Sequence, residues 1–301
     1  MTRFHVRPEA ITADRVVFDE QETRHLSRVL RLRPGDSVQV VDGRGTEFTV
    51  RLESIEGRAA AGTILTRSSA ATESPLAVTL AQGIPKGDKM EWIVRTVTEL
   101  GVARVVPLLT ERTIVRLEPG RWRDRARRWQ RVAKEAAKQC GRAVIPTVDP
   151  PRPLQEFADA APAADLRLCL WEGEHRGLSE ILDAARGPVA SALLVVGPEG
   201  GLAAREVETL VARGFTSAGL GPRILRTETA GPVGVALLQG RFGDVGAPRR
   251  PVSKVIAPPI DPARVRAPAS PAQPSGGGIG RGGDPGIHAG GVGGPGWPPA
   301  E

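Results

Sequence analysis

Tyrosine is absent from this chain, cysteine and methionine occur twice each, and no apolar run approaches the roughly 18 residues of a membrane span. Each shortage excludes something. Cys140 and Cys169 have neither a pairing framework nor metal-ligand spacing, which points to a reduced protein with no metal site. The opening Met1-Thr2-Arg3-Phe4-His5 lacks the apolar core of a secretory leader, so a cytoplasmic protein without a membrane span is expected. Five Trp and six Phe are too few for a broad base-stacking platform. Neither G-x-x-x-x-G-K-[ST] nor a G-x-G-x-x-G opening the first strand–helix unit occurs, which disfavours triphosphate and dinucleotide binding. No G-x-S-x-G elbow or Ser/His/Asp arrangement supplies a hydrolase nucleophile.

Glycine and proline, by contrast, are plentiful, and both concentrate at the end. Residues 247–301 hold 12 Gly and 12 Pro with almost no apolar periodicity, a composition that predicts a disordered tail. Residues 1–246 then form the folded body, with 35 Lys+Arg against 31 Asp+Glu. That excess is small, so where the charges sit matters more than their sum.

The first 70 residues read as a small β-rich, barrel-like domain. Strands are expected at 16–18, 37–41 and 46–55, with a helix over 22–32 whose polar face carries Arg24, His25, Arg28 and Arg31. A Ser/Thr/Ala-rich linker follows over 67–74. From residue 75 to 246 strands alternate with helices, which predicts a second, α/β domain with a parallel sheet covered on both faces. Its longest helix, between Gly120 and Gly141, carries eight Lys/Arg against Asp124 and Glu135. A solvated face is the ordinary explanation of such a run. Its single sign, next to the basic N-terminal helix and Lys86 and Lys89, also suits a phosphate backbone.

Two late segments hold the chemistry. Gly197-Pro198-Glu199-Gly200-Gly201-Leu202 and Leu220-Gly221-Pro222-Arg223-Ile224-Leu225-Arg226-Thr227-Glu228-Thr229-Ala230 each follow an expected strand and lead into a helix. Such strand ends form ligand crevices in α/β proteins. A tight turn needing positive φ would also explain the first glycines without any ligand. Thr229 suits a helix N-cap, which would place Pro232 in the first turn.

These segments, with Arg3-Phe4, His25-Leu26-Ser27-Arg28-Val29-Leu30-Arg31, Lys86-Gly87-Asp88-Lys89-Met90-Glu91-Trp92, Thr98-Glu99-Leu100-Gly101-Val102, Glu111-Arg112, Gln139-Cys140-Gly141-Arg142 and Gln239-Gly240-Arg241-Phe242-Gly243-Asp244, occur in an order that resembles the ribosomal RNA small-subunit methyltransferase E family of the SPOUT (α/β-knot) superfamily. The resemblance covers residues 1–246. It implies a PUA-like RNA-binding domain followed by a trefoil-knotted α/β domain. It also implies a homodimer, S-adenosylmethionine as methyl donor, and N3 of one uridine in the 16S rRNA of the small ribosomal subunit as acceptor. On this basis Leu170, Gly197, Glu199, Gly200, Gly201, Leu220, Gly221, Leu225, Arg226 and Thr227 are expected to hold the donor. Arg226, Glu228 and Glu199 are expected to act on the base, and Arg3, His25, Arg28, Arg31, Lys86 and Lys89 to grip RNA.

One departure stands out. After Ala230 the family usually continues with Ala and Leu, whereas this chain has Gly231-Pro232-Val233-Gly234. Each Gly lowers helix propensity by about 1 kcal/mol, so a loosened helix and weaker donor binding are expected. Methylation of another RNA atom, such as a ribose 2′-hydroxyl, and a non-catalytic RNA-binding protein of the same fold are the alternatives.

Overall fold

The computed structural model describes residues 3–70, 72–115 and 117–248; the expected tail lies, from residue 249 on, outside them. Among the described residues two sheets form. The first contains β1 (Arg3–His5), β2 (Arg15–Phe18), β3 (Ser37–Val41), β4 (Thr46–Glu56) and β5 (Ala59–Ser69) in the order β1-β3-β4-β5-β2. All pairs are antiparallel except β1 with β3. The expected β-rich, barrel-like domain is this five-stranded sheet, with β1 and β2 at the ends of its strand order. The stretch assigned to a linker instead begins inside β5, whose Thr/Ser-rich end pairs with Thr46–Thr49.

The helix expected over 22–32 is also different. A short α1 (Glu20–Arg24), capped by the Asp19 carboxylate accepting the Glu22 N–H at 2.8 Å, runs into a π turn over His25–Val29. Arg31 then takes a left-handed φ of 54°, an uncommon conformation for a non-glycine residue. Val29 is 67% exposed on this turn, whereas Leu26 is buried against Phe4, Phe18 and Phe48.

The second sheet is parallel throughout its central path, in the order β12-β10-β11-β6-β7-β8. Its strands are β6 (Ala77–Gly83), β7 (Arg104–Leu109), β8 (Thr147–Val148), β9 (Arg152–Pro153, beside β7), β10 (Leu166–Leu170), β11 (Ser191–Val196) and β12 (Thr216–Ala218). Buried on both faces, β6 and β11 read as near-continuous apolar runs. Helices α2 (Lys89–Glu99), α3 (Pro119–Cys140), α5 (Leu178–Ala184) and α7 (Thr227–Phe242) cover one face. The other face packs against α4 (Leu154–Asp159) and α6 (Ala204–Ala212). Pro119 opens α3 and Gly141, at φ +80°, closes it. After edge strand β12 the chain returns to the middle of the sheet, where α7 packs on β6 and β11. That return is the path the expected knot requires.

Polar contacts join the N-terminal sheet to the second domain. Arg3 bonds to the Gly141 carbonyl and pairs with Glu47 at 3.1 Å, and Lys138 of α3 pairs with Glu22. Neighbouring His5 is buried, and neither ring nitrogen has a hydrogen-bond partner among the described residues. Burial, then the charges of Lys138, Lys134 and Arg3, lowers its pKa from 6.5 to about 4 against the opposing pull of Asp42. The unfolded chain thus takes up a proton between about pH 6.5 and 4 that the folded chain refuses. Stability should fall across that window as pH drops, by roughly 3 kcal/mol in full. His5→Leu should flatten this part of the Tm–pH curve; a variant curve as steep as the wild type would show that His5 is not the cause.

Candidate active site

At the carboxyl ends of β10, β11 and β12 lies a cavity of about 410 Å³. Residues 197–199, 201 and 202 after β11 and 219–228 after β12 form its walls, together with Trp171, Glu172 and Glu174 after β10. Of the residues expected at the donor site, Leu170, Gly197, Glu199, Gly201, Leu220, Gly221, Leu225, Arg226 and Thr227 line this one space, as do Glu228 and Lys89. Gly200 is not among the lining residues; its carbonyl accepts from Arg112 Nη1 at 2.5 Å.

The first loop is fixed by lack of room as much as by φ. A Cβ on Gly197 would lie 2.5 Å from the Gly201 carbonyl carbon, so the loop can close only over a glycine. Among these glycines Gly201 (φ +71°) supplies the left-handed turn. Glu206 holds the far end of the loop, accepting from the Ala203 N–H at 2.9 Å and the Glu111 N–H at 2.8 Å.

The two loops meet at a buried junction that sequence reasoning missed. Gln82, fully buried at the end of β6, points Nε2 at the carbonyls of Gly83 (3.1 Å) and Gly197 (3.3 Å) and at Thr227 Oγ1 (2.9 Å). Thr227 Oγ1 in turn donates to the Gly197 carbonyl at 2.6 Å. The proton directions agree only if Thr227 accepts from the amide. Its hydroxyl is thus engaged across the loops, and α7 begins there, with Arg226 in the N-cap position. The expected start at Thr229 is corrected accordingly. Pro232 lies six residues into α7, buried, where it cannot donate to the Glu228 carbonyl.

The expected loosening of α7 by its glycines takes a different form. A Cβ on Gly231 would sit 2.7 Å from Gln82 Oε1, and one on Gly234 2.6 Å from Leu194 Cδ2 and 3.3 Å from Leu170 Cδ1. The glycines let the helix backbone lie directly on β6, β10 and β11. Their low propensity is offset by close packing.

Charge is arranged unevenly around the cavity. Lys89 Nζ bridges Glu199 Oε1 (3.1 Å) and Glu228 Oε2 (3.4 Å). The hydrogen bond to Glu199, with the charges of both carboxylates, raises the Lys89 pKa. Burial alone would push the Glu199 carboxyl up. Hydrogen bonds from its own N–H, the Lys86 N–H and Lys89 outweigh that and hold it below its ordinary value. The Ser217 hydroxyl and the Arg176 and His175 N–H groups likewise lower Glu174. Glu228 Oε2 is buried without a hydrogen bond in the first turn of α7. Arg223 and Arg226 stand exposed at the mouth, without a carboxylate partner among the described residues. Of the residues expected to grip RNA, Lys89 lines this cavity and the Lys86 N–H bonds to Glu199 at its edge, Arg3 and His25 line a cleft between the two sheets, and Arg28 and Arg31 are exposed on the π turn and just beyond it.

An RNA methyltransferase domain model matches residues 72–239, and an RNA methyltransferase PUA domain model matches residues 18–65. Ribosomal RNA small subunit methyltransferase E from Bacillus subtilis is 35% identical over 70% of this chain and 84% of its own length. The Synechocystis protein of the same name is 38% identical over 78% of this chain and 76% of its own. The chain belongs to the ribosomal RNA small-subunit methyltransferase E family. The crystal structure of the Neisseria gonorrhoeae family member, bound to S-adenosyl methionine, superposes with a TM-score of 0.73 at 35% identity, covering 81% of this chain and 99% of that one. A Legionella pneumophila protein solved with the bound cofactor SAM gives 0.72 at 31% identity, covering 81% and 99%.

The residues present suit a donor of this kind. The cavity volume is ordinary for a small cofactor, Leu170, Leu220 and Leu225 give an apolar wall, and carboxylates outnumber cations around it. The Gln82–Thr227–Gly197 junction holds the two walls at their spacing. Gln82→Met keeps the length and loses the amide, and Thr227→Val keeps the shape and loses the hydroxyl. Each should weaken S-adenosylmethionine binding about tenfold by calorimetry. The double variant should be no worse than the stronger single change, because both break one network. Fully additive losses would mean that the two side chains act separately.

Proposed function

We propose that this chain transfers a methyl group from S-adenosylmethionine to N3 of a specific uridine in 16S rRNA. The observation that carries the proposal is the convergence of an apolar-walled crevice, a carboxylate whose buried oxygen accepts no hydrogen bond and an unpaired arginine at one place, in a chain of this family. When bound, the donor supplies a methyl group already activated on a sulfonium, so the protein's work is alignment and proton handling. Uridine N3 holds a proton at neutral pH, and that proton must leave as the N3–methyl bond forms and the sulfur–methyl bond breaks. Glu228 would accept it. Its Oε2 is buried in the first turn of α7, with Lys89 Nζ 3.4 Å away and no other partner among the described residues. Arg226, extended at the mouth, would face the negative charge that develops on the base carbonyls. Glu199 holds Lys89 in place through the 3.1 Å contact. Leu170, Gly197, Gly201, Leu220, Gly221, Leu225 and Thr227 would enclose the donor.

A cytoplasmic homodimer completes the reading. Trp92 on α2 and Leu237 on α7 are 45% and 37% exposed on two helices that pack together, an apolar surface suited to a second copy. Trp92→Glu should convert a dimer to a monomer in light scattering; a monomeric wild type would remove this element.

Mapping the modified nucleotide in rRNA from a deletion strain, with and without the restored gene, tests the function directly. Loss of a methyl on uridine N3 supports it, and loss of a ribose methyl would favour the 2′-hydroxyl alternative. Arg226→Ala should lower kcat by roughly a hundredfold or more with little change in donor affinity. Glu228→Gln should lose rate at neutral pH and recover part of it as alkaline solution ionises N3 unaided. Full methylation by Arg226→Ala at saturating donor and RNA would falsify its role.

A further inference from the structure

The solvent side of α3 is organised in a way that its composition alone does not reveal. Arg123, Arg127, Arg131 and Lys134 follow one another at intervals of four, four and three, so they form one stripe along the helix. From Arg123 to Lys134 the stripe is about 16 Å long, and it ends one turn before Lys138, which is paired with Glu22. Trp122, Trp129, Ala133 and Ala137 face the core, so the stripe has no apolar companion to enter a membrane. Among the described residues Arg123, Arg131 and Lys134 have no carboxylate partner. Arg127 has only Asp124 at 3.4 Å, with both side chains more than 70% exposed.

Both landmarks of the molecule are tied to this helix. Its C-terminal end is fastened to the N-terminal domain by Lys138–Glu22 and by Arg3 on the Gly141 carbonyl. Its middle is fastened to the start of α2 by Arg128, 2.6 Å from Glu91 and 3.7 Å from Asp88. The next residue along, Lys89, reaches Glu199 and Glu228 at the cavity. The positive field at the N-terminal-domain end extends inward, where Lys134 and Lys138 help keep His5 neutral. The cleft between the two sheets offers no comparable track. Its lining mixes Glu22, Glu47, Glu99, Glu135 and Asp244 with cations that are already paired.

We propose that the α3 stripe is a rail for the phosphate backbone, which holds the substrate RNA between the N-terminal domain and the methyl-donor cavity. This rests on the RNA-methyltransferase reading above. Backbone contacts of this kind position a nucleic acid without reading its sequence. The rail therefore sets reach and register, and leaves the choice of base to the cavity and the N-terminal domain.

The test uses the full chain with two probes, unmodified small ribosomal subunits and an unrelated RNA duplex. Arg123→Gln, Arg127→Gln, Arg131→Gln and Lys134→Gln are combined in one variant, since glutamine retains helix propensity. Affinity for both probes should fall tenfold or more. The slope of log affinity against log salt should shrink by roughly 0.9 for each duplex phosphate that the variant no longer neutralises. S-adenosylmethionine affinity should stay at the wild-type value, which also shows that the variant is folded. Should the fourfold change unfold the protein, Arg123→Gln/Arg131→Gln serves, with about half the change in slope. Asp124→Asn, which frees Arg127, should move affinity and slope the opposite way. Unchanged RNA affinity and slope in a variant that binds the donor would overturn the rail and leave the enzyme reading intact. A wild type that binds neither probe would overturn both.

Discussion

Three segments distant in sequence meet at the Gln82 side-chain amide, and the geometry of the donor cavity depends on that meeting. Its nitrogen is surrounded by the Gly83 and Gly197 carbonyls and the Thr227 hydroxyl, in a fully buried setting. Hydrogen bonds there are strengthened by the low local dielectric, and breaking one leaves an uncompensated buried group. The amide oxygen has no partner among the described residues and faces Gly231, where any side chain would press on it. An unsatisfied oxygen is a cost, and the fold accepts it to keep the nitrogen aimed at both loops. The Gly197 turn, the start of α7 and the place of Arg226 and Glu228 all follow from this one orientation.

Electrostatics divides the molecule into two kinds of site. In the cleft between the sheets, Arg3, Lys138 and Arg142 are each satisfied by a carboxylate or a carbonyl, as with Arg142 on Glu73 at 2.8 Å. Such groups fasten domains and have little left for a ligand. At the cavity the balance is incomplete. Lys89 is shared between two carboxylates, and among the described residues Glu228 keeps a buried oxygen without a hydrogen bond while Arg223 and Arg226 project without a carboxylate partner. Groups held in place but unsatisfied are the ones that can act on a substrate.

Much of this was legible beforehand because it is local. Gly120 and Gly141 marked α3 to within a residue, and the glycine segments with Arg226 and Glu228 pointed to the crevice. The rest depends on partners far along the chain. Thr229 looked like the N-cap because a hydroxyl before an apolar helix usually caps it. Thr227 starts the helix instead, because Gly197 and Gln82 claim its side chain. Gly231 and Gly234 looked like defects because their packing partners, Gln82, Leu170 and Leu194, lie 40 to 150 residues away. Gln82 left one faint signal, a long polar side chain near the end of a mostly apolar strand. The π turn and the left-handed Arg31 left none, since tertiary packing of Leu26 overrides helical propensity there.

These features together explain why a helix with poor intrinsic propensity stands at the centre of the second domain. With Gly231, Pro232, Gly234 and Gly240, α7 would not persist alone in water. It exists because Ala230, Val235 and Leu238 enter the main core and because Thr227 is tied to Gly197 and Gln82. Formation of the helix and formation of the cavity are therefore one event, since the residues that nucleate α7 also set the walls. A ligand that occupies the cavity favours the folded arrangement of both loops and draws its linkage energy from the same contacts. An Ala- and Leu-rich helix would gain local stability, but at Gly231 and Gly234 any added side chain presses on Gln82 and Leu194. Close approach to the sheet, rather than helix propensity, sets what this segment can be.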